Sequence, residues 1–143
     1  MRINDVLNAK SSPDVITIGP DASVRDLVAL LAEHNVGALI VSADGESVDG
    51  IVSERDVVRR LNDRADVLDA RVSELMTTEV RTCEGDAALT DLMRVMTEHR
   101  VRHVPVLTGG KLTGIISIGD VVKNRIGELE FERDQLDTYL HQT

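Results

Sequence analysis

The chain of 143 residues repeats one pattern over most of its length, and this duplication constrains the fold more than any other feature. The segment GIVSERDVV at residues 50–58 returns as GIISIGDVV at residues 114–122. Around these segments, residues 15–61 align with residues 80–126 when one residue is dropped from a turn of the second copy. A duplicated unit of this length predicts two similar structural units that pack against each other.

Each copy predicts the same order of elements, which is strand, helix, strand, strand, helix. Glycine-containing turns predict that the second and third strands of each copy form a hairpin. The predicted strands cover residues 15–18, 38–41 and 50–52 in the first copy and residues 80–83, 103–107 and 112–116 in the second. The first helix of each copy has amphipathic i, i+3, i+4, i+7 spacing, at Val24, Leu27, Val28 and Leu31 and at Leu89, Leu92, Met93 and Met96.

One such unit is too small to bury its own sheet face, so the two copies are expected to pack around a pseudo-twofold axis. The predicted fold class is α/β, in the α+β sense, with two β-α-β-β-α repeats. We expect the first repeat, with an N-terminal helical turn, at residues 1–66, the second at 67–127, and a C-terminal helical extension at 128–143. The charged stretch 62–70 is predicted to be a linker.

Composition argues against several classes of partner. The formal net charge is −9, and a strongly acidic chain is a poor binder of nucleic acid or of anionic membranes. The chain has no Trp, one Tyr and one Phe, which leaves few aromatic faces for stacking on bases. No apolar stretch approaches the roughly 20 residues of a membrane span, and the N-terminus lacks a signal-peptide core. We therefore expect a cytoplasmic protein.

The sequence predicts no metal site. Cys83 is the single cysteine, and it is predicted to be a small core residue. His34 and His99 each follow a glutamate at the predicted end of the first helix, where a cation suits the helix dipole. Their recurrence therefore indicates helix termination rather than metal coordination.

The repeated junction has the pattern Gly, two apolar residues, Ser, two variable residues, Asp. Ser53 or Ser117 falls at a helix N-terminus, where unpaired N–H groups attract anions. Asp56 or Asp120 lies about one turn further, where a carboxylate can accept hydrogen bonds from the hydroxyls of a ribose. A single copy would be explained as an ordinary helix cap. Two copies at matching places favour a nucleotide-binding role.

The doubled pattern resembles the cystathionine-β-synthase (CBS) domain family, and in particular a stand-alone tandem pair, or Bateman module. The resemblance rests on both junction segments, on EHNVGALIV and EHRVRHVPV, and on VSELM at the start of the second repeat. It covers nearly the whole chain except the C-terminal tail. It implies a regulatory module that binds adenosine-containing ligands in clefts between the two repeats.

The resemblance also implies roles for individual residues. Asp56 and Asp120 would hold ribose hydroxyls, and Ser53 and Ser117 would contact phosphate. Backbone groups of the first strands would line the adenine pocket, at Thr17, Ile18, Thr82 and Cys83. The opposite walls would be formed by Val36, Gly37 and Ala38 in one repeat and by Val101, Arg102, His103 and Pro105 in the other. Arg55, within the first junction, is a further candidate ligand-binding residue.

The two clefts are not expected to be equal. Arg102 and His103 occupy the places that Gly37 and Ala38 occupy in the first copy. An arginine can bind phosphate with two parallel hydrogen bonds, and a histidine can add a donor. The alternative for Arg102 is a solvated surface charge. The sequence leaves open which cleft Arg102 and His103 serve.

The sequence is most consistent with a non-catalytic sensor of adenine nucleotides such as AMP, ADP or ATP, with no required cofactor. Alternatives are a module for NAD(H) or S-adenosylmethionine, or a scaffold with empty clefts. An enzyme is disfavoured because no phosphate-binding Gly-Lys-Ser/Thr loop, His/Glu metal motif or serine elbow occurs. The downstream partner protein is unknown.

The last helix is predicted to run from about residue 118 to residue 141, longer than its counterpart in the first copy. A thin apolar seam follows it, at Val122, Ile126, Leu129, Leu136 and Leu140. The seam suits either packing on the chain's own body or an interface between two modules. Since the resemblance implies disc-shaped dimers, we expect a homodimer.

Overall fold

A computed structural model describes residues 1–10 and 15–141. The first half contains α1 (Ile3–Ala9), β1 (Thr17–Ile18), α2 (Val24–His34), β2 (Ala38–Val41), β3 (Gly50–Ser53) and α3 (Glu54–Asp63). A short 3-10 helix follows at Val67–Asp69. The second half contains α4 (Val72–Leu75), β4 (Cys83–Glu84), α5 (Leu89–His99), β5 (His103–Thr108), β6 (Lys111–Ser117) and α6 (Ile118–Leu140).

The strands form two three-stranded sheets with the same topology. The order is β1-β2-β3 in one sheet and β4-β5-β6 in the other. In each sheet the first two strands are parallel and the last two are an antiparallel hairpin. This mixed helix and strand architecture confirms the predicted fold of two β-α-β-β-α repeats.

The first strand of each repeat is shorter than the sequence suggests and begins later. β1 covers two residues rather than residues 15–18, and β4 covers Cys83–Glu84 rather than residues 80–83. Only Thr17 and Ile18 lie in register with β2, opposite Ile40 and Val41. The apolar residues before each strand therefore do not pair in a sheet, and they are free to line a cleft.

The first helix of each repeat begins and ends as its sequence predicts. The hydroxyl of Ser23 accepts a hydrogen bond from the Asp26 N–H at 3.1 Å, while Ala88 provides no such cap. α2 ends at His34 and α5 ends at His99. Both helices bury one face, and the buried residues are Val24, Leu27, Leu31, Leu89, Leu92 and Met96.

The two repeats exchange their flanking segments. Ile3 and Val6 of α1 are fully buried in the core of the second sheet, where the Ile3 N–H donates to the carbonyl of Ala87. Val67 and Ala70 are buried in the core of the first sheet, where Ala70 accepts from the Val24 N–H. The predicted linker at 62–70 thus contains a 3-10 turn and contributes two buried residues to the core of the first sheet. Its few apolar residues face inward because α3 continues to Asp63 and the 3-10 turn follows soon after.

The last helix agrees closely with its prediction. It runs from Ile118 to Leu140, and each of its residues from position 129 to position 140 is exposed. Within the described residues, no helix is both long enough and apolar enough to cross a membrane.

Candidate ligand-binding clefts

Both strand-to-helix junctions close into reciprocal capping boxes. The Ser53 N–H donates to Asp56 Oδ2 at 2.8 Å, and the Ser53 hydroxyl accepts from the Asp56 N–H at 3.4 Å. In the second repeat, the Ser117 N–H donates to Asp120 Oδ2 at 3.0 Å, and the hydroxyl accepts from the Asp120 N–H at 3.2 Å. The capping role that would explain a single copy is therefore present in both.

The caps leave part of each aspartate available. All hydrogen bonds that Asp56 and Asp120 accept through their side chains within residues 1–10 and 15–141 use Oδ2, so Oδ1 of each carboxylate remains open. The Ser53 O–H already donates to Asp56 Oδ2 at 3.1 Å. A cap therefore fixes the position of each carboxylate and leaves one oxygen to accept from a ligand.

The helix N-termini keep few free N–H groups. The first N–H of α3, from Glu54, donates to the carbonyl of Gly37 at 3.0 Å. The first N–H of α6, from Ile118, donates to the carbonyl of Arg102 at 2.8 Å. With the third N–H of each helix bound by the capping serine, a phosphate at either junction can use the second N–H, of Arg55 or Gly119, and otherwise depends on side-chain donors.

Asp120 lies in a cleft of about 320 Å³ between the two repeats. We call this the Asp120 cleft. It joins the junction of the second repeat to Val36 and Ala38, which are predicted wall residues of the first repeat. Its apolar lining comes from Val6, Ile16, Val36, Ala38, Leu39 and Ile115. A lining of this kind suits a flat, weakly polar group such as a purine base.

Lys10 enters the Asp120 cleft from the N-terminal segment. Its Nζ lies 3.0 Å from Asp120 Oδ2 and donates to the carbonyl of Ile115 at 2.9 Å. Partial burial by itself would raise the pKa of the Asp120 carboxyl. The Ser117 N–H and the Lys10 ammonium outweigh burial and hold that pKa below its ordinary value. Asp120 is therefore ionised and already paired.

The second cleft, of about 310 Å³, surrounds Asp56, and we call it the Asp56 cleft. Eight of the ligand-binding residues predicted from the sequence line this cleft. They are Ser53, Arg55, Asp56, Gly37, Ala38, Val101, Arg102 and His103. The sequence left open which cleft Arg102 and His103 belong to, and in the structure both residues of the second repeat line the same cleft as Asp56 of the first. Ala38 lines both clefts, so the clefts are neighbours.

Four arginines line the Asp56 cleft, namely Arg55, Arg81, Arg100 and Arg102. Among the described residues, none of their guanidinium groups takes part in an ion pair. Three carboxylates share the lining, from Glu54, Asp56 and Glu79. The lining therefore carries one more positive than negative side chain, in a chain whose net charge is −9.

The imidazole of His103 lies close enough to charged groups of both clefts for them to affect its pKa. Burial lowers the pKa of its imidazole below the ordinary value, although the carboxylates of Asp120 and Glu54 act in the opposite direction. Its ring lies beside Gly37, where a Cβ would come within 3.8 Å of the imidazole. At neutral pH His103 is therefore uncharged and presents one donor and one acceptor.

Six residues that were predicted from the sequence to bind ligand do not line either cleft. They are Thr17, Ile18, Thr82, Cys83, Pro105 and Ser117. Ile18 is buried in the core of the first sheet, and the thiol of Cys83 donates to the carbonyl of Pro105 at 3.7 Å. Burial raises the pKa of Cys83 to about 11, so it stays a thiol. The clefts are lined instead by residues one to three positions earlier, namely Ile16, Val80 and Arg81.

Sequence reasoning also missed several lining residues. Lys123 and Asn124 line the Asp120 cleft, and their positions three and four residues after Asp120 place them on the same helix face. Their spacing from Asp120 would have been enough to predict that they line the same cleft. Lys10 could not be found in this way, because no sequence pattern links it to Asp120. Within the described residues, no cluster of three or more His, Cys, Asp or Glu side chains has an arrangement that could hold a metal ion.

Two β-α-β-β-α units with exchanged flanking segments and paired clefts define a tandem-repeat module of the ligand-binding type. The family model for the CBS domain matches the chain twice, over residues 3–63 and residues 72–127. The chain therefore belongs to the CBS-domain family, whose members are in general regulatory modules rather than catalysts.

Known relatives agree with this assignment. The mitochondrial CBS domain-containing protein CBSX3 of Arabidopsis thaliana is 32% identical over 96% of this chain and 71% of its own length. A crystal structure of a CBS-domain protein from Agrobacterium tumefaciens is 44% identical, covers 87% of this chain and 99% of its own, and has a TM-score of 0.81. The crystal structure of CBSX2 in complex with AMP is 27% identical, covers 88% and 96%, and has a TM-score of 0.75.

Proposed function

We propose that this protein is a non-catalytic regulatory module that binds adenosine-containing ligands in the Asp120 and Asp56 clefts. The observation that carries the proposal is the pair of capped aspartates. Each lines its own cleft between the repeats, and each has one carboxylate oxygen without a partner among the described residues. The similar protein CBSX2 was crystallised with AMP, which supports this class of ligand.

In the proposed complex, Oδ1 of each aspartate accepts a hydrogen bond from a ribose hydroxyl. The capping box holds the carboxylate in place before the ligand arrives, which lowers the cost of ordering it. The apolar walls of each cleft, such as Val36 in one and Val101 in the other, contact the base. Specificity for adenine over other bases would come from backbone groups at the cleft walls.

The two clefts differ in what they offer to phosphate. The Asp56 cleft presents four unpaired guanidinium groups among the described residues, whereas the Asp120 cleft presents Lys123 and a lysine already paired with Asp120. Guanidinium groups bind phosphate oxygens in pairs, and additional phosphates can engage additional arginines. We therefore assign ligands with two or three phosphates to the Asp56 cleft and a monophosphate to the Asp120 cleft.

Binding would act by favouring one arrangement of the two repeats. Each cleft is lined by both repeats, so a bound ligand stabilises the arrangement that closes on it. The signal would be read by a downstream partner protein that distinguishes the arrangements. We also propose that the module acts as a homodimer. No cofactor is required in this proposal, and a cytoplasmic location stays a prediction.

Isothermal titration calorimetry with AMP, ATP, NADH and S-adenosylmethionine tests the proposal. We expect saturable binding of AMP and ATP, with loss of one site in Asp56→Asn and of the other in Asp120→Asn. Asparagine retains one acceptor oxygen and can still cap the serine N–H, so the variants should remain folded. Binding of only NADH or S-adenosylmethionine would support the alternative ligands. No binding across the panel would favour an empty scaffold, and turnover of a bound nucleotide would contradict a non-catalytic role.

A further inference from the structure

The segments that contain α1 and α4 run in the same register against the two sheets. Arg2 and Arg71 begin these segments, and each forms an antiparallel bridge with the N-cap residue of a first helix. Leu7 and Met76 each follow five residues later, and their side chains lie beside the glycines that open the junction motifs. Residues of the two segments can therefore be compared position by position.

This comparison makes Lys10 and Glu79 equivalent residues with opposite charges. Each lies three residues after the Leu7 or Met76 position. Lys10 lines the Asp120 cleft, and Glu79 lines the Asp56 cleft. The two clefts therefore differ in the sign of the charge at one equivalent position.

The Lys10 ammonium makes a hydrogen bond that the backbone makes in the other repeat. The carbonyl of Ile51 accepts from the Thr77 N–H at 2.9 Å. The equivalent carbonyl, of Ile115, accepts instead from Lys10 Nζ at 2.9 Å, and the same Nζ lies 3.0 Å from Asp120 Oδ2. Only 27% of the lysine side chain and 24% of the aspartate side chain are exposed. These two contacts hold the ammonium at one place in the lining of the cleft.

The ionised groups of the Asp120 cleft carry a positive charge in excess. Among the described residues that line it, Lys10 and Lys123 are the lysines and Asp120 is the carboxylate, with His34 as a further titratable group. Lys10 offsets the charge of Asp120, and Lys123 leaves one positive charge over. An aspartate without such a partner would instead attract a cationic group of a ligand.

The Lys10 ammonium is near enough to act on the charge that an adenosine ligand carries at its 5′ carbon. In the proposed complex the ribose hydroxyls bind Asp120 Oδ1, so the 5′ group is separated from Lys10 by one carboxylate and one sugar ring. This separation is comparable with the Debye length of about 8 Å at physiological ionic strength. Because the ion pair is half-buried, salt screens it less than it would screen a pair on the surface.

We propose that Lys10 sets the charge preference of the Asp120 cleft, so that the cleft selects adenosine ligands with an anionic 5′ group and rejects those with a sulfonium at that carbon. This inference rests on the proposed function, because it chooses among the adenosine ligands that the clefts are proposed to bind. Lys10 acts here as a specificity-determining residue.

Calorimetric titration of the Asp56→Asn protein tests this preference, since the proposed function leaves that protein with the site in the Asp120 cleft. Two matched pairs of probes are used. S-adenosylhomocysteine and S-adenosylmethionine differ by one methyl group and one positive charge, and adenosine and AMP differ by the phosphate. We expect S-adenosylhomocysteine to bind about tenfold more tightly than S-adenosylmethionine, and AMP about tenfold more tightly than adenosine.

Substitutions of Lys10 in the same protein separate its charge from its structural role. Lys10→Met should reduce the first affinity ratio to about twofold and the second to about threefold, because Lys123 remains in the lining. Lys10→Arg keeps the charge and should keep both ratios. Lys111→Met, at the exposed start of β6 and outside both clefts, is the matched control. A purely structural role of Lys10 would weaken all four ligands equally in Lys10→Met, and unchanged ratios would therefore contradict the inference.

The remaining outcomes distinguish failure of this inference from failure of the proposed function. If S-adenosylmethionine binds the protein that retains Lys10 as tightly as S-adenosylhomocysteine does, the charge preference is overturned, whether or not Lys10→Met folds. If the wild type binds these ligands and Asp56→Asn binds none, the inference fails while the proposed function stands for the Asp56 cleft. If the wild type binds none of the four ligands, both fail.

Discussion

Lys10 binds Asp120 across the boundary between the two repeats, with Nζ 3.0 Å from Oδ2. The lysine follows α1, which precedes the first repeat in sequence but packs on the core of the second. The ion pair therefore ties the exchanged N-terminal segment to the junction at the start of α6. It also neutralises the carboxylate of the Asp120 cleft before any ligand is present.

Removing the Lys10 ammonium should destabilise the fold. Lys10→Met keeps most of the side-chain stem but loses the ion pair and the hydrogen bond to the Ile115 carbonyl. We expect the free energy of unfolding to fall by about 1–2 kcal/mol, because both interactions are partly shielded from water. Urea denaturation measures this change. A double-mutant cycle with Asp120→Asn should give an interaction energy near 1 kcal/mol.

Lys123→Met is the control for this experiment. Lys123 lines the same cleft but forms no ion pair in the part of the chain that the structure describes. Its substitution should leave the free energy of unfolding within about 0.5 kcal/mol of the wild type. Equal effects of the two substitutions would show that the Lys10 contact contributes nothing specific.

The fold was largely predictable because the same pattern of apolar residues occurs twice, so each copy supports the prediction made from the other. The order of strands and helices followed from the duplicated apolar pattern, and Ser23 and His34 correctly marked the ends of α2. The exchange of flanking segments was not predictable. Local patterns show which residues are apolar, but they do not show which of two similar cores those residues join. Val67 was assigned to a linker for this reason, although it is buried.

The site was predictable where its residues are local to the repeated junction and less so elsewhere. Asp56, Ser53 and Arg55 lie together as expected because they follow one another along a strand and a helix. Cys83 does not line a cleft because it pairs in the sheet opposite Val106, and Thr82 beside it is exposed, whereas Val80 and Arg81 line the Asp56 cleft. Whether a residue pairs or faces a cleft depends on the partner strand, which the sequence does not identify.

The glycines that open the two junction motifs should differ in their tolerance to substitution. A Cβ at Gly50 would lie 2.8 Å from the backbone oxygen of Thr77, which is fixed by hydrogen bonding with Ile51. At Gly114 the three atoms nearest to a Cβ all belong to the side chain of Leu7, which can shift more easily than a backbone oxygen. We expect Gly50→Ala to cost about 1–3 kcal/mol and Gly114→Ala less than 1 kcal/mol.

Gly19→Ala supplies the reference for these two variants, because nothing lies within 4 Å of a Cβ at that position. Thermal and urea denaturation of the three variants measure how much each substitution lowers the free energy of unfolding. A loss at Gly114 as large as the loss at Gly50 would mean that Leu7 is locked in place. It would contradict the distinction between a rigid backbone neighbour and a flexible side chain.

The arginines of the Asp56 cleft should contribute to the affinity for ligands that carry phosphate and should contribute little to the affinity for a nucleoside. We expect Arg102→Gln to weaken ATP binding about tenfold, or about 1.4 kcal/mol, and to change adenosine binding little. The effect should shrink as salt is raised from 50 to 300 mM, because exposed charges are screened. Calorimetric titrations of both ligands measure this difference. Arg94→Gln, outside the clefts, should bind both ligands as the wild type does.

His103 should make the fold less stable as the solution becomes more acidic. Burial lowers the pKa of His103 in the folded state, opposed by Asp120 and Glu54 and assisted by Lys10 and Arg102. In the unfolded chain the imidazole titrates near its ordinary pKa of about 6.5. As pH falls below that value, the unfolded state takes up a proton before the folded state does. The free energy of unfolding should therefore decrease as pH falls through 6.5 toward the lower, folded-state pKa.

Urea denaturation of the wild type and of His103→Gln between pH 8 and pH 5 isolates this contribution. Glutamine does not titrate, so the difference between the two free energies should be constant above about pH 7 and should change below it in favour of the variant. The other histidines are common to both proteins and cancel in the difference. Two parallel pH profiles would show that His103 has the same proton affinity in the folded and unfolded states. A relative gain by the wild type at low pH would mean that Asp120 and Glu54 outweigh burial, and His103 would then be a cation beside the Asp56 cleft.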